Sequence, residues 1–165
     1  MVTRIILVAT LALTLVAVAD VLRRDEIGPR TAAWYLLLFS LLFVVRVVGQ
    51  VFVALHAPAW LPPMNEWNLM PYRLLLPIQI LFVAALFAIV AGVRKGEGLL
   101  GERHPSFGAF LIGLGAVYAG SMVVRYAVRM RRRPEERWFG GAIPIVFHVV
   151  LAAFLVTWGS YHVQG

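Results

Sequence analysis

The sequence predicts an all-α integral membrane protein, a compact bundle of five transmembrane helices forming a single domain over residues 1–165. Three observations predict this class: 61% of the residues are hydrophobic, only 14% are charged, and five apolar stretches approach or reach the length of a membrane span. In a soluble domain about a quarter of the residues are charged. Because the charged fraction here is much lower, much of the protein surface must face lipid. The composition therefore excludes a disordered chain and a soluble monomer.

The five apolar stretches are predicted to span the membrane at residues of about 5–22, 31–55, 74–93, 107–125 and 143–161. A secretory signal peptide is an alternative for the first stretch, because Arg4 precedes an apolar run that contains Ala17 and Ala19. A retained helix is the simpler interpretation, since the run is longer than a usual signal core. The arginines of 129–137 favour a cytoplasmic N-terminus in a bacterial cytoplasmic membrane, because they then lie inside.

Between the second and third spans, residues 57–73 form a loop rich in proline, tryptophan and tyrosine. Proline disfavours a regular helix, and the aromatic residues favour the headgroup layer, so we predict an interfacial cap. A lid over a ligand cavity is the alternative. Within this loop the run 58–63, Pro-Ala-Trp-Leu-Pro-Pro, resembles the Pro-x-Trp-x-Pro-Pro segment of the TspO translocator family, five-helix proteins that bind porphyrins and sterols. In that family the segment follows the first span, whereas here it follows the second, and no family residues are transferred.

Arg46 lies inside the second predicted span, where a guanidinium costs at least about 2.5 kcal/mol. Gln50 is four residues further and shares its helix face, so this face is expected to point into the bundle. Arg46 either bonds helix-end carbonyls, Gln50, Gln79 or Glu66, or it binds an anion such as a carboxylate, a phosphate or a cofactor propionate. We predict a ligand-binding pocket at one membrane side, lined by Arg46, Gln50, His56, Glu66, Arg125 and His148.

The fourth predicted span combines small and polar residues. Small residues recur at four-, three- and four-residue intervals, which predicts a close packing face of Ala109, Gly113, Ala116 and Gly120. The opposite face carries polar residues, namely Tyr118, Ser121, Arg125 and Arg129. A helix with a packing face and a polar face is expected at the centre of the bundle, with its polar stripe in a cavity.

Four histidines, at positions 56, 104, 148 and 162, raise a second functional hypothesis. His148 and His162 lie fourteen residues apart on one predicted helix, a spacing that resembles the ligand spacing in the cytochrome b family. Alternation of the spans pairs His56 with His148 and His104 with His162. Two imidazoles are a usual axial set for haem b, so the alternative function is electron transfer through one or two haems.

The sequence contains no cysteine, and we find no phosphate-binding loop, HExxH or GxSxG motif. The spans also carry no pair of acids suited to catalysis, so we predict a non-enzymatic accessory subunit or binding protein with no metal site. The net charge of +7 indicates contact with anionic lipid headgroups near Arg129–Arg137. A partner membrane subunit or a homo-oligomer is a further expected partner, and nucleic acid is not.

Overall fold

The computed structural model describes residues 2–58, 61, 72–132 and 141–164. Its described residues form α1 (Val2–Leu22), α2 (Pro29–His56), α3 (Tyr72–Lys95), the single turn α4 (Gly98–Gly101), α5 (Pro105–Arg132) and α6 (Ala142–Val163). All of these except α4, five helices in total, are long and apolar enough to cross a membrane. The predicted all-α fold class is therefore confirmed. We call the membrane side where α1 begins the N-terminal side; α2 and α5 end there, and α3 and α6 begin there. The other is the C-terminal side.

The centre of the bundle is α6. α1, α2 and α5 each pack against it, and α3 packs against α2. In the most apolar segment of α6, 67% of the residues are buried, against 22% in α5. The prediction that the fourth span lies centrally is therefore wrong, because α6 covers only one face of α5. α6 is apolar on all sides, as expected for a helix that is surrounded by other helices.

The face of α5 that packs against α6 also differs from the predicted one. A Cβ atom added at Gly108 would lie 2.6 Å from the carbonyl oxygen of Gly159, so these two backbones are in close contact. A Cβ atom added at Gly115 would likewise lie 3.0 Å from the carbonyl oxygen of Ala152 on α6. The predicted packing residues are instead all exposed, namely Ala109, Gly113, Ala116 and Gly120. A Cβ atom added at either of these two glycines would have no neighbouring atom within 4 Å. Both faces carry small residues at helical spacing, and only one of them meets a helix.

Several predicted boundaries need correction. α5 continues to Arg132 rather than ending at 125, because arginine is a good helix former and the helix runs on past the apolar segment. α3 begins at Tyr72, so the loop predicted over 57–73 is shorter by two residues. Of this loop, residues 59–60 and 62–71 lie outside the described residues, and with them the predicted interfacial cap.

The connections at the C-terminal side are held together by Arg103. One guanidinium nitrogen donates to the carbonyl of Gln164 at 2.7 Å and another to that of Ile27 at 2.8 Å. The guanidinium also lies 4.8 Å from the ring centre of Tyr161, whose hydroxyl donates to the carbonyl of Gly101 at 2.6 Å. One side chain thereby joins the α1–α2 loop, the segment between α4 and α5, and the end of α6.

Candidate functional site

Arg46 lies in the membrane-spanning part of α2, ten residues before the last residue of the helix, His56. This places it about 15 Å from the N-terminal end of the bundle. Its side chain is only 7% exposed, and the guanidinium carbon lies 5.8 Å from the ring centre of Phe43. A charged group at this depth faces the bundle interior, as the sequence predicts, because exposure to lipid would cost more.

One helical turn further along α2, Gln50 reaches across to α3. The amide nitrogen of Gln79 donates to the side-chain oxygen of Gln50 at 2.9 Å, and both side chains are buried. The amide nitrogen of Gln50 and the amide oxygen of Gln79 have no hydrogen-bond partner among the described residues. This pair therefore couples α2 to α3 and retains one buried donor and one buried acceptor.

On α6, the half-buried ring of His148 packs 5.7 Å from the ring of Tyr118 on α5. Nδ1 of His148 hydrogen-bonds the carbonyl oxygen of Pro144 on its own helix. Because a carbonyl only accepts, Nδ1 carries a proton, and Nε2 is the acceptor of the neutral ring. His148 is also close enough to Arg46 and Arg125 to interact with both electrostatically.

Arg46 of α2 and Arg125 of α5 thus each lie within electrostatic range of His148 on α6. The polar group beside them is Tyr118, which sequence reasoning placed on the polar face of its helix but not in the pocket. Gln50 contributes through its bond to Gln79, a residue named from sequence only as a partner for Arg46. Glu66 lies outside the described residues.

His56 is exposed at the end of α2. Its ring stacks on Phe52 at 4.8 Å, and its Nδ1 lies 3.3 Å from the carbonyl of the same residue. These contacts are all local to α2, and none joins His56 to His148. The pairing of His56 with His148 stays a prediction.

His104 and His162 do lie side by side at the C-terminal side, with ring centres 6.3 Å apart. The backbone N–H of His104 donates to Nδ1 of His162 at 3.1 Å, so this nitrogen already has a partner. Three aromatic rings also lie 5.4–5.8 Å from the His162 ring: Phe107, Trp158 and Tyr161. A porphyrin would have to displace these rings to reach His162. No group of three or more metal-ligating side chains occurs in the described part of the chain.

The charges of the described residues are segregated between the two membrane sides. Their carboxylates all lie at the C-terminal side, at positions 20, 25, 26, 97 and 102. There Asp20 accepts a hydrogen bond from Tyr35 and pairs with Arg24, which raises the pKa of that arginine. Arg46, Arg125 and His148 belong to the half of the bundle nearer the N-terminal side. Among the described residues, the half of the bundle nearer the N-terminal side therefore carries arginines and no carboxylate.

Fold and composition together define the class: a small polytopic membrane protein, an all-α bundle with five helices that can span the bilayer. No family model matches the chain, and neither the curated proteins nor the solved structures include a match. The functional assignment therefore rests on the charged site itself.

Proposed function

We propose that the protein is a non-enzymatic binding protein that holds the acidic group of an amphipathic molecule between α2, α5 and α6. The proposal is carried by Arg46, which is 7% exposed inside a membrane-spanning helix and lies within electrostatic range of His148. Ionisable side chains at such positions usually mark a ligand or transport pathway. The planar guanidinium suits a carboxylate or a phosphate, since it can donate two parallel hydrogen bonds.

The position of the site indicates what else the ligand must carry. Arg46 and His148 lie at the level of the hydrocarbon, where a small hydrated ion is poorly soluble. Tyr118 is half-buried and Arg125 is exposed, so the flank between α2 and α5 presents polar groups to the surrounding lipid. An acid with a long apolar body can enter by this route, with its acidic group toward Arg46. We therefore propose a membrane-dissolved carboxylic acid.

The test uses oleate as the probe and oleyl alcohol as its neutral analogue, with the protein in phosphatidylcholine nanodiscs. At 100 times its Kd, oleate is expected to stabilise the folded protein by about 2.7 kcal/mol. That corresponds to a rise in Tm of about 5–10 °C. Oleyl alcohol should give little change, since it lacks the charge that Arg46 recognises. The Arg46→Met variant is expected to lose the oleate effect, whereas the matched control Arg94→Met, at an exposed arginine on the other side, should retain it.

The stability of ligand-free Arg46→Met separates binding from a purely structural role. Removing one partner of a buried ion pair costs about 3–5 kcal/mol, because the other charge is left buried without a counter-charge. A large loss of stability would mean that Arg46 holds the bundle together, for example through Glu66, and would overturn the proposal. If the variant stays folded but oleate has no effect on the wild type, the binding-protein form is rejected. An accessory subunit whose Arg46 receives a carboxylate from a partner would then be the interpretation.

We also propose that the N-terminal side faces the cytoplasm of a bacterial cell. The sequence places eight of the arginines and lysines beside this side and six beside the other, and the densest cluster, 129–137, belongs to the first. Alkaline phosphatase fused after the C-terminus is expected to be active, because five spans carry that end to the periplasm. A green fluorescent protein fused at the same position should be dark. The reverse result would invert the assignment.

A further inference from the structure

An apolar groove of about 380 Å³ lies between α1 and α5 at the N-terminal side. Leu7 and Leu11 of α1 line one wall, Val123 and Tyr126 of α5 line the other, and α6 forms the floor. The volume falls within the range of about 300–1,000 Å³ that is usual for small-molecule sites. Because the lining is almost entirely apolar, the part of any occupant that lies in the groove must be hydrocarbon.

The end of the groove nearest the N-terminal side carries positive charge. Arg4 lies three residues before Leu7 on α1, and Arg129 lies three residues after Tyr126 on α5. This spacing places each arginine on the groove face of its helix, one turn nearer the headgroup layer. The guanidinium of Arg129 lies directly against Gly141, where a Cβ atom would collide with it. The floor helix begins at the next residue, so Arg129 is held at the end of the groove.

We infer that this groove binds one acyl chain of an anionic phospholipid, with the lipid phosphate beside Arg4 and Arg129. The apolar volume and the basic end match the two parts of such a lipid in position and in chemistry. The inference does not depend on the proposed function. The groove lies between α1, α5 and α6, whereas the Arg46 site lies between α2, α5 and α6.

The experiment is native mass spectrometry of delipidated protein, incubated with equal amounts of dioleoyl phosphatidylglycerol and dioleoyl phosphatidylcholine. The two lipids have the same chains, so any preference reports the headgroup. Each arginine near an anionic headgroup contributes about fivefold in affinity, so the wild type is expected to retain roughly 5–25 times more phosphatidylglycerol. Equal retention of the two lipids would overturn the inference.

The groove itself is tested by filling it from an exposed position. Val123 lines the groove and is 65% exposed, while its neighbour Val124 is 62% exposed and does not line it. Val123→Trp is expected to lose the bound phosphatidylglycerol, and Val124→Trp is expected to retain it. Both substitutions add the same side chain to a lipid-facing position of one helix, so a difference between them reports the groove. Equal retention in the two variants would show that the lipid binds elsewhere.

The headgroup contact is tested by the double variant Arg4→Gln/Arg129→Gln, with Arg132→Gln at an exposed position of α5 as its control. The double variant is expected to bind both lipids equally, and the control should keep the preference. The same spectra report the oligomeric state. A dimer in the wild type that Val123→Trp abolishes would show that a helix of a second copy fills the groove, and would overturn the lipid assignment.

Discussion

Gly108→Leu is expected to lower the free energy of unfolding by about 3 kcal/mol or more, the upper end of the usual cost of overpacking. A Cβ atom at this position would lie 2.6 Å from the carbonyl oxygen of Gly159, 2.7 Å from Cβ of His162 and 2.8 Å from Cγ2 of Val163. Two of these atoms belong to the backbone or to the first side-chain carbon of α6, so no rotamer change can move them. The helices would have to separate, and α6 would lose its closest neighbour.

Gly113→Leu is the matched control on the same helix. Nothing lies within 4 Å of a Cβ atom there, and the residue is exposed. Leucine has the higher helix propensity, so this variant is expected to be as stable as the wild type or more stable by up to about 1 kcal/mol. Thermal unfolding in detergent, followed by circular dichroism, should place the Tm of Gly108→Leu about 6–12 °C below that of the wild type. Similar Tm values for the two variants would contradict close packing at Gly108, and a lower Tm for Gly113→Leu would mean that the exposed small-residue face is the one that packs.

Arg103→Ala is expected to cost about 2–3 kcal/mol, because each hydrogen bond from a charged donor contributes about 1.5–3 kcal/mol and this side chain is partly exposed. It would remove two bonds to backbone carbonyls, at Ile27 and Gln164, together with the contact on the Tyr161 ring. Arg103→Lys should recover only part of the loss, since an ammonium group does not have the fork that reaches both carbonyls.

The control for this site is Lys95→Ala, an exposed cation on the same membrane side, expected to change stability by less than about 0.5 kcal/mol. Hydrogen exchange provides a second readout, because the loss of Arg103 should raise exchange at the end of α6 and in the α1–α2 loop before other regions. A Tm for Arg103→Ala equal to that of Lys95→Ala would show that helix packing alone holds these connections.

The helices of this protein could be predicted closely because the membrane imposes their length. Hydropathy predicted all five spans, and the largest error, at the end of α5, arose where arginines continue a helix beyond its apolar part. Which face of each helix meets protein could not be predicted in the same way. Lipid tails are as apolar as leucine, so hydrophobicity does not distinguish a packed face from a lipid-facing one. The small residues at Gly108 and Gly113 therefore looked alike in the sequence, although only Gly108 packs.

The polar site was easier to predict than its surroundings. A guanidinium exposed to lipid costs so much free energy that the burial of Arg46 inside the bundle could be predicted. The same orientation could be predicted for Gln50, because it lies four residues further on the same helix face. Tyr118 and Gln79 were visible as polar residues, but their roles depend on how the helices rotate about their axes. Arg103 gave no signal at all, because its partners Ile27 and Gln164 lie far from it in the chain, in loops and ends that have no regular pattern.

The central position of α6 affects how the protein is made. α6 follows α1, α2 and α5 in the chain, so the three helices that pack on it enter the membrane before it exists. At about 5–20 residues per second, roughly 6–24 s separate the synthesis of α1 from that of α6. During this interval α2 and α3 can already pack against each other, whereas α1 and α5 lack the helix on which they pack; each helix is stable alone in lipid. A chain that stops before Ala142 would therefore hold four inserted helices but lack the helix that provides most of the contacts of α1 and α5.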